Sequence, residues 1–168
     1  MLAVGGTHLT HDNSFNWSGE TGWSSGGGGV SRYEAKPSYQ GGLKYARRAH
    51  PDVAYNADPN TGYAVYDSYG GSGWGEYGGT SAGTPQWSAI IALANEGRID
   101  AGKKALDGTT QTLPAIYAMA SGTTGSQQLY DVTSGRNRVG SAGPGFDLVT
   151  GRGTPRRADL VYQALVSY

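Results

Sequence analysis

The sequence predicts an α/β fold built from packed layers. Strand-like runs rich in Val, Ala and Tyr alternate with helix-like runs along the chain, the order expected of such layers. After Thr80, residues Trp87, Ile90, Ile91 and Ala94 fall at i, i+3, i+4 and i+7, the spacing that buries one stripe of a helix. The chain of 168 residues holds 29 glycines, 12 tyrosines and 4 tryptophans with only 15% charged residues, a composition suited to a compact, loop-rich protein. That length fits one domain with a real core.

The elements follow in order. Met1 to Thr7 reads as the end of a buried strand that breaks into a turn at Gly5-Gly6. A domain seldom opens in mid-strand, so we expect the chain to be part of a longer one. Residues from about Thr10 to Gly42, with Gly26 to Gly29 inside them, read as a long loop region. Pro51 to Ala57 is a predicted strand, Asp58-Pro59-Asn60-Thr61-Gly62 a turn, and Tyr63 to Tyr66 a second strand. Gly70 to Gly79 is predicted to be a glycine-rich loop that delivers the chain to Ser81. The helix then runs to about Arg98. Leu113 to Met119 is a predicted short helix with Pro114 near its first turn. A final helix is predicted from Thr154-Pro155, an N-cap followed by a first-turn proline, with Leu160, Val161, Ala164 and Leu165 on its buried face. No internal repeat is present.

Composition also sets limits on function. Thirteen basic and thirteen acidic residues balance, so nothing points to nucleic acid or an anionic membrane as partner. No stretch approaches the roughly 20 apolar residues that span a bilayer. Cysteine is absent, which excludes disulfides and thiolate metal sites. No segment has the pattern of a signal peptide.

Two constellations carry chemistry. In Gly79-Thr80-Ser81-Ala82-Gly83-Thr84-Pro85 a serine stands between a glycine approach and the first turn of a buried helix. Unpaired N–H groups and the partial positive charge of a helix N-terminus suit a nucleophile whose reaction forms an oxyanion. The same residues also serve as an ordinary helix cap. Near the C-terminus, Asp131 follows Leu129-Tyr130, and Asp147 follows Gly143-Pro144-Gly145-Phe146. Carboxylates beside glycine carbonyls suit a hard cation such as calcium, which takes 6–8 oxygen ligands. Aspartates in such positions equally cap and start turns.

Taken together, the segments resemble the C-terminal half of the sedolisin family, the serine-carboxyl peptidases. Gly79-Thr80-Ser81 with Pro85 four residues on is similar to the family's nucleophile motif, and Ser25-Gly26-Gly27-Gly28 to its substrate-cleft glycine run. Arg48-Ala49-His50-Pro51-Asp52-Val53, Ala57-Asp58-Pro59 and Thr61-Gly62-Tyr63 resemble the unit before the serine. Tyr130-Asp131-Val132-Thr133 and Ala142 to Asp147, with Thr150-Gly151 and Gly153-Thr154-Pro155, resemble the calcium-binding segments. The ordered set covers nearly the whole chain.

The resemblance implies a subtilisin-like fold, a parallel sheet flanked by helices, of which residues 1–168 would be the C-terminal portion. It implies that Ser81 is the nucleophile, its N–H helping to hold the oxyanion. It implies a calcium ion within about 129–155, bound by the side chains of Asp131 and Asp147 and the carbonyls of Val132, Gly143 and Gly145. Ser25, Gly26, Gly27 and Gly28 would lie along a protein or peptide substrate. The family's members are mostly secreted or lysosomal and act on proteins at acid pH. Their serine is served by a Glu, an Asp that orients it and a second Asp that donates to the oxyanion. These acids belong upstream of the Ala3 to Thr7 segment. Glu20, Glu34 and Glu76 are candidates by residue type alone. The expectation is therefore a catalytically incomplete chain: a fragment, or half of a split enzyme whose partner is the missing N-terminal half.

Two other readings remain open at the level of sequence. One is a subtilisin-like serine protease whose base is His8, His11 or His50. The other is a non-catalytic, calcium-stabilised module that binds peptides.

Overall fold

In the computed structural model, which describes residues 1–71, 73–119 and 125–168, a short sheet carries one long helix across its face. The first strand, β1 (Val4–His11), runs on through Gly5-Gly6 instead of turning there. Its first half pairs in parallel with β5 (Val53–Asn56), Val4 opposite Val53 and Thr7 opposite Asn56. Its second half pairs antiparallel with β2 (Trp17–Gly22), giving the order β2-β1-β5.

Much of the predicted loop from Thr10 to Gly42 is extended structure. Besides β2 it contains β3 (Gly29–Ala35), paired antiparallel with β4 (Arg47–His50). β3 is mostly solvent-facing and β2 is half-buried beyond its exposed first two residues, so polar and glycine residues fill positions that a fully buried strand would give to apolar ones. The glycine-rich run before the serine is likewise a ribbon: β6 (Tyr63–Asp67) pairs with β7 (Gly73–Tyr77). Between β5 and β6, Asp58 caps a 3-10 turn, Pro59–Thr61, by accepting from the Asn60 amide.

The helix α1 (Thr80–Asp100) is 21 residues long and lies against β1 and β5. Its predicted stripe is confirmed: Trp87 and Ala94 are fully buried, and Ile90 and Ile91 pack against the same cluster. Gly83 lets the first turns settle on β5, where a Cβ would press on Tyr55. A π-helical turn at Gly108–Thr112 leads into α2 (Leu113–Met119), as predicted. After α3 (Gly125–Gln128), the short strands β8 (Leu129–Tyr130), β9 (Arg136–Asn137), β10 (Gly140–Ser141) and β11 (Thr154–Pro155) organise the C-terminal loops. Thr154-Pro155 does not open the last helix but pairs with Leu129-Tyr130. The helix, α4 (Ala158–Ser167), begins three residues after Pro155 and buries Val161 and Leu165 against α1, with Leu160 and Ala164 partly covered.

Trp87, Val53, Ala94, Ile116, Leu129, Val161 and Leu165 form the centre of the core. Beside it lies a buried polar network. Asp52 is fully buried and accepts from Ala3 N at 2.8 Å, Arg48 Nη2 at 2.6 Å and the Tyr117 hydroxyl at 3.0 Å. Gln40 bridges Tyr117 and the Ala49 backbone. Every oxygen of the buried carboxylate is thus occupied, the condition under which such a charge is tolerated. Among the described residues, no helix is long and apolar enough to cross a membrane.

Candidate functional site

The candidate nucleophile follows from local chemistry. Gly79 sits at φ 103°, in the left-handed region that favours glycine, and turns the chain from the ribbon into α1. Ser81 is exposed in the first helical turn. No side chain caps this helix end. Among the described residues, neither the amides of Thr80 and Ser81 nor the Ser81 hydroxyl has a hydrogen-bond partner. A group attached to Ser81 Oγ would therefore find free N–H donors and the positive end of a long helix beside it.

None of the sequence-level candidates for a base touches Ser81. His8 Nδ1 lies 2.9 Å from Asp58 Oδ2, and His11 Nδ1 lies 2.9 Å from its neighbour's carbonyl at Asp12. His50 lines a cavity beside Tyr39 and Arg48. Burial would raise Asp58, but the Asn60 amide and His8 overcome it and hold its carboxyl below the usual value. Glu76 accepts from Gly62 N at 3.1 Å, and Glu34 lines the same cavity as His50.

Glu20 is a half-buried strut. It accepts from Thr7 at 2.6 Å, Thr154 at 2.9 Å and the Trp17 indole at 3.2 Å, so β1, β2 and β11 meet on one carboxylate. Burial pushes its pKa up from 4.5 despite these donors. The folded form thus favours the protonated acid. Its contribution to stability is complete below the unfolded value and is lost as pH rises through the raised folded value. We expect the wild type to lose stability relative to Glu20→Gln as pH increases from about 4 to about 7, read as the difference in urea midpoint. A difference that stays flat with pH overturns the assignment.

The glycine run and the nucleophile turn meet across Gly6 of β1. A Cβ on Gly6 would press on the Trp23 ring from one side and approach Thr80 from the other. Trp23 N donates to the Gly6 carbonyl, and Gly26 N donates back to Trp23 O, which fixes the start of the run. Ser25 and Gly27 are exposed, and Gly27 has open space at its Cα. Gly26 is half-buried, and a Cβ on Gly28 would overlap the Leu148 carbonyl. The run is therefore held from below and open above, a geometry suited to an extended chain laid along it.

Asp131 and Asp147 converge on one loop. Asp131 Oδ2 accepts from Gly145 N at 2.8 Å, and Asp147 Oδ2 from Gly143 N at 3.0 Å. Asp147 Oδ1 also takes the amides of Val149 and Thr150, each at 2.8 Å. The described residues hold no cluster of three or more His, Cys, Asp or Glu side chains placed to take a metal, so any ion here would rest on two carboxylates and backbone carbonyls. The carbonyls of Val132, Gly143 and Gly145 accept no hydrogen bond among the described residues. Solvent reaches the two glycines, but Val132 is fully buried. A buried carbonyl without a partner is rare, and a hard cation is one of the few groups that would satisfy it beside an aspartate. The oxygen donors present fit calcium.

Sequence reasoning named Glu20 only by residue type and missed its role as a strut, along with the His8–Asp58 pair and the Asp52 network. The Asp58-Pro59 cap and the Arg48…Asp52 spacing were visible signals. For Glu20 there was none, since Thr154 lies 134 residues away.

No protein-family model matches the chain. It is 34% identical to kumamolisin of Bacillus sp. (strain MN-32) over 99% of this chain and 31% of that protein. It is 33% identical to xanthomonalisin of Xanthomonas sp. (strain T-22) over 92% of this chain and 20% of that protein. Among solved structures it resembles Pseudomonas sedolisin, a serine-carboxyl proteinase complexed with two molecules of pseudo-iodotyrostatin. The TM-score is 0.79 at 30% identity, covering 97% of this chain and 45% of that one. The chain thus spans a third or less of these two curated relatives' length.

Proposed function

Since this chain belongs to the sedolisin family of serine-carboxyl peptidases over the part it spans, we propose that it carries the nucleophile, the substrate strand and the calcium site of a secreted, acid-active endopeptidase. Its substrates are proteins or peptides. Ser81 Oγ attacks the scissile carbonyl, and the Ser81 N–H holds the oxyanion that forms. Asp131, Asp147 and the carbonyls of Val132, Gly143 and Gly145 would hold calcium, whose positive charge would fix the C-terminal loop.

The observation that carries this reading is Ser81 itself. It is exposed at the uncapped N-terminus of a long, well-anchored helix, with its hydroxyl unused. No carboxylate or imidazole of the described residues is bonded to it, so its proton has no acceptor among them. An acid-working serine needs a carboxylate base, because a histidine with pKa near 6.5 is protonated at about pH 4. We propose that the family's Glu, Asp and oxyanion Asp come from outside these 168 residues, and that the isolated chain binds peptides without turning them over.

The test is an NMR titration with a peptide aldehyde at about pH 4, with calcium, beside a fluorogenic peptide library. The expected result is a Ser81-dependent hemiacetal that shifts the amides of Gly26 to Gly28 and Gly79 to Ala82, with no cleavage. Identical spectra in Ser81→Ala overturn the nucleophile. Ser81-dependent turnover by the isolated chain overturns its incompleteness.

A further inference from the structure

The ribbon β6–β7 carries aromatic side chains that the core does not use. Tyr66 and Trp74 stand opposite each other on one face, edge to face at 5.4 Å, and remain 61% and 72% exposed. Tyr69, in the connecting turn, is 94% exposed. Exposed aromatic patches of this kind are uncommon on a lone soluble surface and mark places where something binds. The register puts Glu76 on the same face as the pair, whereas Asp67, next to Tyr66, lies on the opposite face and accepts from the Tyr69 amide. Glu76 forms no ion pair among the described residues. From Ala49 to Gly97 the sequence contains no Lys or Arg, so no cation of this stretch competes for the acid or the rings.

Aromatic faces beside an unpaired carboxylate attract a cation twice over, through the ring quadrupole and through charge. We propose that the β6–β7 ribbon is a docking surface for a basic, extended polypeptide, whose Lys or Arg side chains stack on Tyr66 and Trp74 and pair with Glu76. The ribbon ends at Tyr77, four residues before Ser81, so a chain held on it is delivered to the nucleophile. The delivery rests on the function proposed above. The binding does not.

The experiment uses the Ser81→Ala chain, which cannot cut its ligand, and fluorescence anisotropy of a labelled peptide alternating Arg and Gly. The expected result is binding that weakens about tenfold in Trp74→Ala. It also weakens between about 0.1 M and about 1 M salt, and is absent for the peptide with Glu in place of Arg. Glu76→Gln weakens it as well, with the aromatic pair and the bond from Gly62 N intact, which guards against a ribbon that simply unfolds in Trp74→Ala. Equal binding of the Arg and Glu peptides, an unchanged affinity in both variants, no binding at all, or competition by a neutral oligosaccharide each overturns the proposal. Failure of Ser81 to form an adduct leaves this readout untouched, so the two readings fail separately.

Discussion

Replacing Asp147 with alanine lowers the unfolding free energy by about 3–4 kcal/mol and removes the response of the chain to calcium. The carboxylate is buried and accepts three backbone amides, from Gly143, Val149 and Thr150, and the Thr150 hydroxyl approaches both of its oxygens. Hydrogen bonds to a charged acceptor are the stronger kind, and truncation leaves their donors unpaired in a buried loop. In the wild type, calcium at about 100 times its dissociation constant adds about 2.7 kcal/mol. For a chain of this size, that raises the thermal midpoint by about 5–10 °C. Urea unfolding measures the first effect and a thermal scan with and without calcium the second. Asp131→Asn separates them. Asp131 is exposed and its one amide bond, from Gly145, is kept by an asparagine oxygen, so the fold survives while the ion loses half its charge partner. A calcium-dependent midpoint shift as large in Asp131→Asn as in the wild type rejects the site.

Trp87→Ala costs about 3–5 kcal/mol, the range for removing a large aromatic from a core that cannot close over the gap. Trp87 is fully buried between α1 and β5, among Val53, Ala94 and Val161, and its indole N–H donates to the Ala54 carbonyl at 3.0 Å. The alanine variant leaves both a cavity and an unpaired carbonyl. Trp87→Phe keeps most of the volume and loses the hydrogen bond, so it costs about 1–2 kcal/mol less than alanine. Because Trp87 pins the helix that begins one residue before Ser81, the alanine variant also weakens formation of the peptide-aldehyde adduct. Urea midpoints of the three proteins order wild type, phenylalanine, alanine. A phenylalanine variant as unstable as alanine points to the Ala54 bond, not packing, as the main contribution.

These two sites mark what was legible in the sequence. The stripe on α1 was plain because a buried helix face repeats every 3.6 residues whatever it packs against. The strand at Val53 was plain because both its faces are covered, and α2 kept its predicted bounds. β3 and β7 were hidden because they largely face solvent, and β2 because its glycines, serine and threonine, Trp17-Ser18-Gly19-Glu20-Thr21-Gly22, look like loop although it is half-buried. The start of α4 was misplaced for another reason. Thr154-Pro155 is a good local helix signal, but Leu129-Tyr130, 25 residues earlier, offers it a ladder, and tertiary pairing prevails over propensity. The site divided in the same way. Ser81, the glycine run and the two aspartates stand in glycine- and proline-rich punctuation that can be read locally. Glu20 and Asp52 take their meaning from Thr154 and Tyr117, which no local pattern connects to them.

The strut at Glu20 has a consequence for how the molecule is made. Thr7 and Trp17 are synthesised within a few residues of Glu20, but Thr154 emerges 134 residues later. At about 5–20 residues per second, the first three strands wait on the order of ten seconds with an acid facing the gap that β11 will fill. During that interval the nascent sheet is open at one corner, exposed to proteases and to the edges of other chains. Completion is therefore late: only when β11 emerges does Thr154 close the contact that Glu20 makes with β1.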